Sequence, residues 1–229
     1  MTSPADRTSP LLDHCPPTLP PEAYWHPDWA ERERQGIWAR QWVYVGRRDG
    51  FAPGTLRRVE IAGDNLIVVC AADGSLSAFH KTCRHRGSVL CVEHQQAFDG
   101  RGIRCPYHAW AYRLDGQLQV APHTKSLKGF DKSEICLDQV QVEEFCGFLY
   151  VNLDPNAASL AVQSGDLRRE IMYWAPEVDE LTFGHRLTYD IKSNWKNVVD
   201  NFLECYHCPT AHKDFCTLVD MDTYKVTTH

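Results

Sequence analysis

Residues 83–114 read CRHRGSVLCVEHQQAFDGRGIRCPYHAWAYRL and contain two short pairs of metal-binding residue types. Cys83 and His85 form the first pair, and Cys105 and His108 form the second pair after nineteen intervening residues. The runs around both pairs are rich in β-branched and aromatic residues, which favours strands. The pattern therefore predicts two loops, each held between strands, that together bind a metal or a metal cluster.

Two kinds of site use two cysteines and two histidines. A structural zinc ion is held by four such ligands in a tetrahedron, but zinc modules commonly begin with two closely spaced cysteines. In a Rieske-type [2Fe–2S] centre, two thiolates bind one iron and two neutral imidazoles bind the other. One Cys and one His from each loop match that division. We therefore expect a [2Fe–2S] cluster on Cys83, His85, Cys105 and His108, with zinc as the alternative.

Composition narrows the class of protein. The chain has 229 residues and a net charge of −6, without a run of Lys and Arg, which argues against nucleic acid or an anionic membrane as a partner. The apolar stretches are too short to cross a bilayer, and the first residues lack the pattern of a secretory signal. We expect a cytoplasmic protein. The other eight of its ten cysteines are then expected to be reduced thiols rather than a disulfide framework.

The patterning along the chain changes twice, which predicts an α+β protein in three segments. Residues 1–41 are expected to form an arm and a helix that begins at Pro27 and reaches Trp42. Residues 42–155 are expected to form an all-β domain, with hairpin turns at Asp73-Gly74 and Asp115-Gly116. Residues 156–229 are expected to begin a mixed α/β domain, with helices over Leu167–Trp174 and Asn194–Cys208.

A second group of candidate ligands lies near the end of the last predicted helix. Glu204, His207 and His212 supply two imidazoles and a carboxylate, which is the ligand set of many non-haem Fe(II) centres. Glu204 and His207 are three residues apart and share a helical face. His207 and His212 are five apart and would point ~140° apart in a straight helix. Both can bind one metal only if the helix breaks between them. Pro209 lies between them and cannot occupy an undistorted helix interior, so we expect a kink or a helix end over Cys208 to His212.

The quoted motifs resemble a known family. CRHRG, CPYHAWAYRLDG and GFLYVNLD are similar to the Rieske domain of the Rieske non-haem iron oxygenases, and NWK…DNFLECYH…H is similar to the iron-binding helix of their oxygenase (alpha) subunits. The respiratory and photosynthetic Rieske proteins carry an extra cysteine in each loop. This chain has Ser88 and Tyr107 at those positions, which disfavours that branch. The resemblance implies an all-β Rieske domain followed by the start of a helix-grip-like catalytic domain, the N-terminal half of a family member.

The resemblance also implies roles for the second group. His207 and His212 match the two iron-binding histidines, and the third ligand, a carboxylate, lies beyond this chain. Glu204 matches a bridging carboxylate that joins a cluster histidine of one subunit, with His108 the expected one, to an iron histidine of its neighbour. The family further implies a homotrimer, O₂ and a small-molecule substrate, and electrons from NAD(P)H through a separate reductase or ferredoxin.

The sequence leaves the reaction open. The run ECYHC, with Glu at position 204, resembles the corresponding segment of family members that oxidise quaternary ammonium compounds such as carnitine or glycine betaine. Many ring-hydroxylating dioxygenases have Asp at that position. We favour monooxygenation of a quaternary ammonium compound, with aromatic-ring dioxygenation as the alternative. A Rieske ferredoxin with an unrelated helical extension is the alternative of a different class.

Overall fold

The computed structural model describes residues 17–98, 102–204 and 206–224. The chain divides into two compact units, residues 33–185 and a second unit that combines residues 1–32 with 186–229. The helices are α1 Pro27–Glu33, α2 Leu160–Gln163, α3 Leu167–Trp174, α4 Trp195–Leu203, α5 Cys208–Ala211 and α6 Lys213–Leu218. The strands are β1 Val43–Arg47, β2 Thr55–Ile61, β3 Asp64–Cys70, β4 Leu76–His80, β5 Gln95–Ala97, β6 Ile103–Arg104, β7 Ala111–Tyr112, β8 Leu118–Val120, β9 Gln139–Phe145 and β10 Phe148–Asn152.

The unit of residues 33–185 is built on two antiparallel sheets. One has seven strands in the order β1-β10-β9-β4-β3-β2-β5, and the other has three in the order β6-β7-β8. The central strand β3 is buried from Leu66 to Cys70, which suits its β-branched run. β2 and β3 form a hairpin whose turn residues, Ala62 and Gly63, both have positive φ, as this tight turn requires. The all-β prediction is confirmed.

The two larger groups of buried side chains in this unit form its core. One group, around Leu56, Ile67 and Phe79, includes the two cysteines of the predicted cluster site. The other packs around Phe51, Leu66 and Leu149. The cluster loops therefore emerge directly from a well-packed core, which fixes their positions.

The second unit contains the Pro21–Tyr24 turn and helices α4 to α6. Asn194 caps α4, because its side-chain oxygen accepts a hydrogen bond from the Lys196 N–H at 3.0 Å. The same amide donates to the carbonyl oxygen of Tyr24 at 3.1 Å. A residue from the beginning of the chain is thus tied to the first turn of α4.

Most predicted elements are present, but the helix expected to reach Trp42 and the helix expected over Asn194–Cys208 both end early. The turns at Asp73-Gly74 and Asp115-Gly116 and helix α3 are as predicted. The first helix ends at Trp38 through a wider π turn, four residues before the expected end at Trp42. The sequence also missed β2 and β9, whose charged residues interrupt the apolar pattern, and the short strands β5 and β6. Across the described ranges, the helices are too short or too polar to pass through a bilayer.

Candidate cluster and iron site

The two predicted cluster loops have the same backbone geometry. In the first, the Cys83 N–H donates to the Ser88 carbonyl at 2.8 Å, and in the second the Cys105 N–H donates to the Trp110 carbonyl at 2.7 Å. The residue four positions after each cysteine, Gly87 or Ala109, donates back to the cysteine carbonyl. Both of these residues have positive φ, 71° and 55°. The two loops therefore match in backbone geometry, although one residue separates Cys from His in the first motif and two residues separate them in the second.

The two thiols meet in the interior. Cys83 and Cys105 are 2% and 3% exposed, and the two thiols lie close enough to affect each other's pKa. Burial raises the pKa of Cys83. Burial acts in the same direction on Cys105, but the N–H groups of Tyr107 and His108 outweigh it and lower the pKa of that thiol. Metal binding requires thiolates, and a positive iron ion would supply the remaining stabilisation.

The two imidazoles also lie side by side. The ring centroids of His85 and His108 are 4.8 Å apart. The His85 ring stacks on Trp110 at 4.5 Å, almost parallel, and the His108 ring lies 3.7 Å from that of Tyr107. Burial, followed by the charges of His108 and Arg86, lowers the pKa of His85, which favours the neutral imidazole that a metal binds.

An unsatisfied atom points to a ligand at this site. His108 Nδ1 is buried and finds no hydrogen-bond partner among the residues the structure describes, whereas buried polar atoms nearly always have one. A metal bond at Nδ1 would satisfy it. Within the described ranges, no three His, Cys, Asp or Glu side chains are grouped to hold one metal ion. The pairing of thiol with thiol and imidazole with imidazole fits a two-iron cluster, with two protein ligands at each iron.

Tyr112 and Trp110 support these ligands and were not singled out from the sequence. The Tyr112 hydroxyl is 3.1 Å from Cys83 Sγ and accepts a hydrogen bond from the Arg84 N–H, also at 3.1 Å. Burial raises the pKa of the Tyr112 phenol, so it stays protonated and can donate to a thiolate. The alternation in HAWAY, which puts Trp110 and Tyr112 on one face, was the available signal.

The second site departs from the predicted helix. α4 ends at Leu203, and Glu204 is extended, with φ −124° and ψ 150°. The predicted helix over Asn194–Cys208 therefore stops five residues early, and Glu204 and His207 are not on one helical face. Pro209 does not kink a helix, because it lies in the first turn of α5, where a proline without an N–H loses no helical hydrogen bond. The helix end expected between Cys208 and His212 is present, because α5 ends at Ala211.

α5 nevertheless brings the two predicted iron histidines together. His207 precedes the helix, His212 follows it, and their ring centroids are 5.1 Å apart. Because the four-residue helix makes about one turn, it returns His212 to the side of His207. The turn of α5, rather than a kink within one long helix, therefore brings His207 and His212 to the same side.

Glu204 holds His207 in place. One carboxylate oxygen lies 2.5 Å from His207 Nδ1, and the other accepts a hydrogen bond from the Tyr206 N–H at 2.5 Å. The contact with His207, ahead of the backbone contacts, lowers the pKa of Glu204. With Nδ1 donating to the carboxylate, His207 Nε2 is left to bind a metal, a common arrangement for metal-binding histidines. Asn201, which the sequence did not indicate, places its side-chain amide 3.5 Å from that atom.

An open cleft of ≈ 1100 Å³ lies over these residues. Its lining includes the three candidates together with the aromatic rings of Phe202, Phe215 and Tyr224 and the charged groups of Asp214 and Lys213. The cleft is the candidate substrate site of the second unit. Cys15 and Cys205, two of the predicted reduced thiols, lie outside the described residues, and the other eight cysteines of the chain, ligand candidates included, are free of disulfides.

Comparison with known families agrees with both sites. Residues 41–131 match the Rieske [2Fe–2S] domain, and residues 178–227 match the catalytic domain of the ring-hydroxylating alpha subunit. The first match covers the four cluster candidates, and the second covers Glu204, His207 and His212. A [2Fe–2S] cluster and a mononuclear iron are therefore the cofactors of this architecture.

Individual relatives share both parts. The carnitine monooxygenase oxygenase subunit of Escherichia coli (strain K12) is 37% identical over 214 residues, which are 93% of this chain and 56% of the relative. The glycine betaine monooxygenase oxygenase subunit of Pseudomonas aeruginosa (strain UCBPP-PA14) is 31% identical over 90% of this chain and 47% of its own length. The chain spans about half the length of these curated relatives.

A solved structure extends the likeness to the fold. The crystal structure of the quaternary ammonium Rieske monooxygenase CntA with L-carnitine superimposes with a TM-score of 0.84 at 32% identity. The match covers 93% of this chain and 60% of that one. Sequence and fold therefore agree on homology along nearly the whole chain.

Proposed function

We propose that this chain, which belongs to the Rieske non-haem iron oxygenases, is the electron-accepting and iron-binding part of the oxygenase component of a multicomponent monooxygenase. The observation that carries the proposal is the contact of Glu204 with His207 Nδ1. A carboxylate in that position orients one candidate iron ligand. Its second oxygen accepts from the Tyr206 N–H and has a further lone pair for another partner. Its presence in the same chain as the cluster loops favours an oxygenase over a Rieske ferredoxin.

Electrons are accepted at the first site. Cys83 and Cys105 would hold one iron of the cluster, and His85 and His108 would hold the other. A cluster with two imidazole ligands has a potential of about −150 to +300 mV, above that of an all-cysteine cluster, and therefore accepts electrons from a reductase or ferredoxin. The Tyr112 hydroxyl lies 3.1 Å from Cys83 Sγ. It would donate to the thiolate of a bound cluster and stabilise the reduced, more negative state.

Glu204 would carry electrons onward between subunits. A histidine that binds a metal through one nitrogen can donate through the other. We propose that Glu204 accepts such hydrogen bonds from His207 of its own subunit and from His108 of a neighbouring subunit, within a homotrimer. Its lowered pKa keeps the carboxylate charged at neutral pH, as two such donors require.

The second site would bind Fe(II) through His207 and His212, with a third ligand, a carboxylate, contributed from beyond this chain. When bound with open positions, such an iron activates O₂. Glu204 fixes His207 through Nδ1, which leaves Nε2 for the iron, and the cleft next to it admits the substrate. A structural zinc module would not account for this second set of ligands.

The substrate we propose is a quaternary ammonium compound such as carnitine or glycine betaine. Aromatic faces and carboxylates attract a cation that has no N–H to donate, and the cleft lining has three aromatic rings and two acids, Glu204 and Asp214, against one lysine. Relatives named for carnitine and glycine betaine support this class. Ring hydroxylation is the weaker alternative and rests on the name of the catalytic-domain family. We place the protein in the cytoplasm, where its free thiols stay reduced and a reductase can use NAD(P)H.

The test uses the Glu204→Gln variant of the longest product of the gene, loaded with cluster and iron. The variant keeps size and one acceptor but loses the charge, so both metals should stay bound while product formation per reducing equivalent falls by at least tenfold. Glu204→Asp is the matched control and should retain part of the activity. Unchanged turnover of carnitine and glycine betaine in Glu204→Gln would refute the bridging role.

A further inference from the structure

Tyr24, near the beginning of the chain, contacts the segment of helix α4 at three points. The side-chain amide of Asn194 donates to the Tyr24 carbonyl oxygen at 3.1 Å. The Lys196 ammonium lies over the Tyr24 ring, 5.5 Å from its centroid. The Tyr24 hydroxyl donates to a carboxylate oxygen of Asp200 at 3.4 Å. One residue therefore holds α4 across its N-cap and about its first two turns.

Two of these contacts come from the NWK motif of residues 194–196, which the function proposed above leaves without a role. Asn194 uses both ends of its amide, because the oxygen caps α4 and the nitrogen binds the Tyr24 carbonyl. Lys196 is 8% exposed and is the one buried residue of α4, a helix that lies wholly within the described ranges. Since burying an ammonium is costly, the faces of Tyr24 and Trp195, 5.5 and 5.3 Å from its Nζ, favour this position. The motif thus forms a binding surface for Tyr24.

The turn that carries Tyr24 is itself well supported. It spans Pro21–Tyr24, and the Ala23 N–H donates to the Pro20 carbonyl oxygen at 2.9 Å. The ring of Pro21 fixes the backbone at the first position of the turn. Ala23 is 2% exposed, so the turn is packed on its inner side. The turn can therefore act as a fixed support for the helix.

The other end of α4 leads into the candidate iron site. Residues 201–203, the last three of the helix, line the cleft, and Glu204 directly after them contacts His207 Nδ1. The helix has nine residues, and its backbone hydrogen bonds make it move as one element. A rotation or tilt at its first turn therefore displaces Glu204 and, through Glu204, the ring of His207.

We propose that Tyr24 is a positioning residue of the iron site, which holds α4 in the orientation that lets His207 bind the metal. The inference rests on the iron site of the proposed function. The apparent affinity for a ligand falls in proportion to the fraction of protein in the binding-competent conformation. Tyr24 keeps that fraction high, so its replacement weakens Fe(II) binding and leaves the cluster in place.

The experiment compares Tyr24→Leu and Tyr24→Phe in the longest product of the gene, with the cluster retained and the mononuclear iron removed. Anaerobic equilibrium dialysis against Fe(II) gives the dissociation constant of the iron site, and acid-labile sulfide gives the cluster content. Tyr24→Leu removes the aromatic face and the hydroxyl and should weaken Fe(II) binding about tenfold. Tyr24→Phe keeps the face over Lys196 and should weaken it only about threefold. Cluster content should be unchanged in both.

The matched control is Trp25→Leu. Trp25 is the next aromatic residue of the chain, is 69% exposed, and its ring lies against that of His26. This variant should bind Fe(II) within about twofold of the unmodified protein, as expected for a surface substitution. Equal weakening by Trp25→Leu would overturn the inference.

A purely structural role for Tyr24 predicts a different result. The unfolding temperature would fall, while the Fe(II) dissociation constant, measured where every variant is folded, would stay the same. That result would overturn the inference. If Tyr24→Leu does not fold, Tyr24→Phe decides alone, because weaker Fe(II) binding supports the positioning role and unchanged binding refutes it.

These outcomes are separable from failure of the proposed function. If the unmodified protein takes up no iron beyond its cluster, the proposed iron site itself is wrong. If it binds Fe(II) and oxidises substrate while the Tyr24 variants bind Fe(II) equally well, only the role of Tyr24 is wrong.

Discussion

The two metal sites of this chain are supported in opposite ways. The cluster loops emerge from a packed β core, and their thiols are almost fully buried. Each loop is closed by two backbone hydrogen bonds to its cysteine. The candidate iron histidines lie on either side of a four-residue helix, His212 is exposed, and the Glu204 carboxylate contacts His207. The first site is therefore preorganised by the fold, whereas the second depends on local contacts.

The largest expected effect follows from replacing a buried cluster ligand. Cys83→Ser removes one of two thiolates from one iron, so the cluster should be lost together with the visible absorbance and acid-labile sulfide. Because the cluster would link the two loops in the folded state, its loss should also lower the unfolding temperature of the domain. Cys136→Ser, a half-buried free cysteine of the same domain, is the control and should keep the full cluster content. A Cys83→Ser protein with two irons and two sulfides would contradict the assignment.

The second effect should be confined to the iron site. His212→Ala removes one of two imidazole ligands from an exposed position, so the mononuclear iron and substrate oxidation should be lost. The Rieske absorbance and the thermal unfolding of the β domain should remain. His123→Ala, in a loop of the Rieske domain, should retain iron and activity. If His212→Ala also removed the cluster, the two sites would not be the independent structures described above.

The fold was largely predictable from residue patterns, and the sites were predictable as residue sets. The strands with uninterrupted apolar runs and the two Gly-containing turns followed from sequence. β2 and β9 did not, because Arg57 and Arg58 in one and Glu143 and Glu144 in the other interrupt their apolar pattern. The end of α4 was missed because apolar spacing continues to Tyr206, while the Glu204 carboxylate bonds the backbone ahead of it and favours an extended residue there.

A smaller effect is expected from the support of the cluster thiolate. Tyr112→Phe removes the hydroxyl that lies 3.1 Å from Cys83 Sγ. Since a hydrogen bond to sulfur stabilises the reduced cluster, its loss should lower the potential by tens of millivolts. Protein-film voltammetry gives the value, and Tyr150→Phe, a tyrosine of the same domain outside the cluster loops, is the control. An equal or higher potential in Tyr112→Phe would show that the hydroxyl does not donate to the cluster.

The smallest effect concerns the backbone of the second loop. Ala109 has a φ of 55°, a conformation that costs an L-residue roughly 1–2 kcal/mol, whereas Gly87 fills the matching position of the first loop without that cost. Ala109→Gly should raise the free energy of unfolding by about 0.5–1 kcal/mol after the extra chain entropy of glycine is subtracted. Thermal unfolding of the cluster-loaded protein measures it. A lower stability would mean that the Ala109 methyl group contributes packing that outweighs the strain.

The central claim is that one chain contributes to two different iron centres. Iron and acid-labile sulfide analysis of the longest gene product, combined with low-temperature EPR after reduction, tests it most directly. We expect three irons and two sulfides per chain and the signal of a reduced [2Fe–2S] cluster with two histidine ligands. Two irons and two sulfides, in a protein that also takes up no further Fe(II), would contradict the claim and leave only an electron carrier.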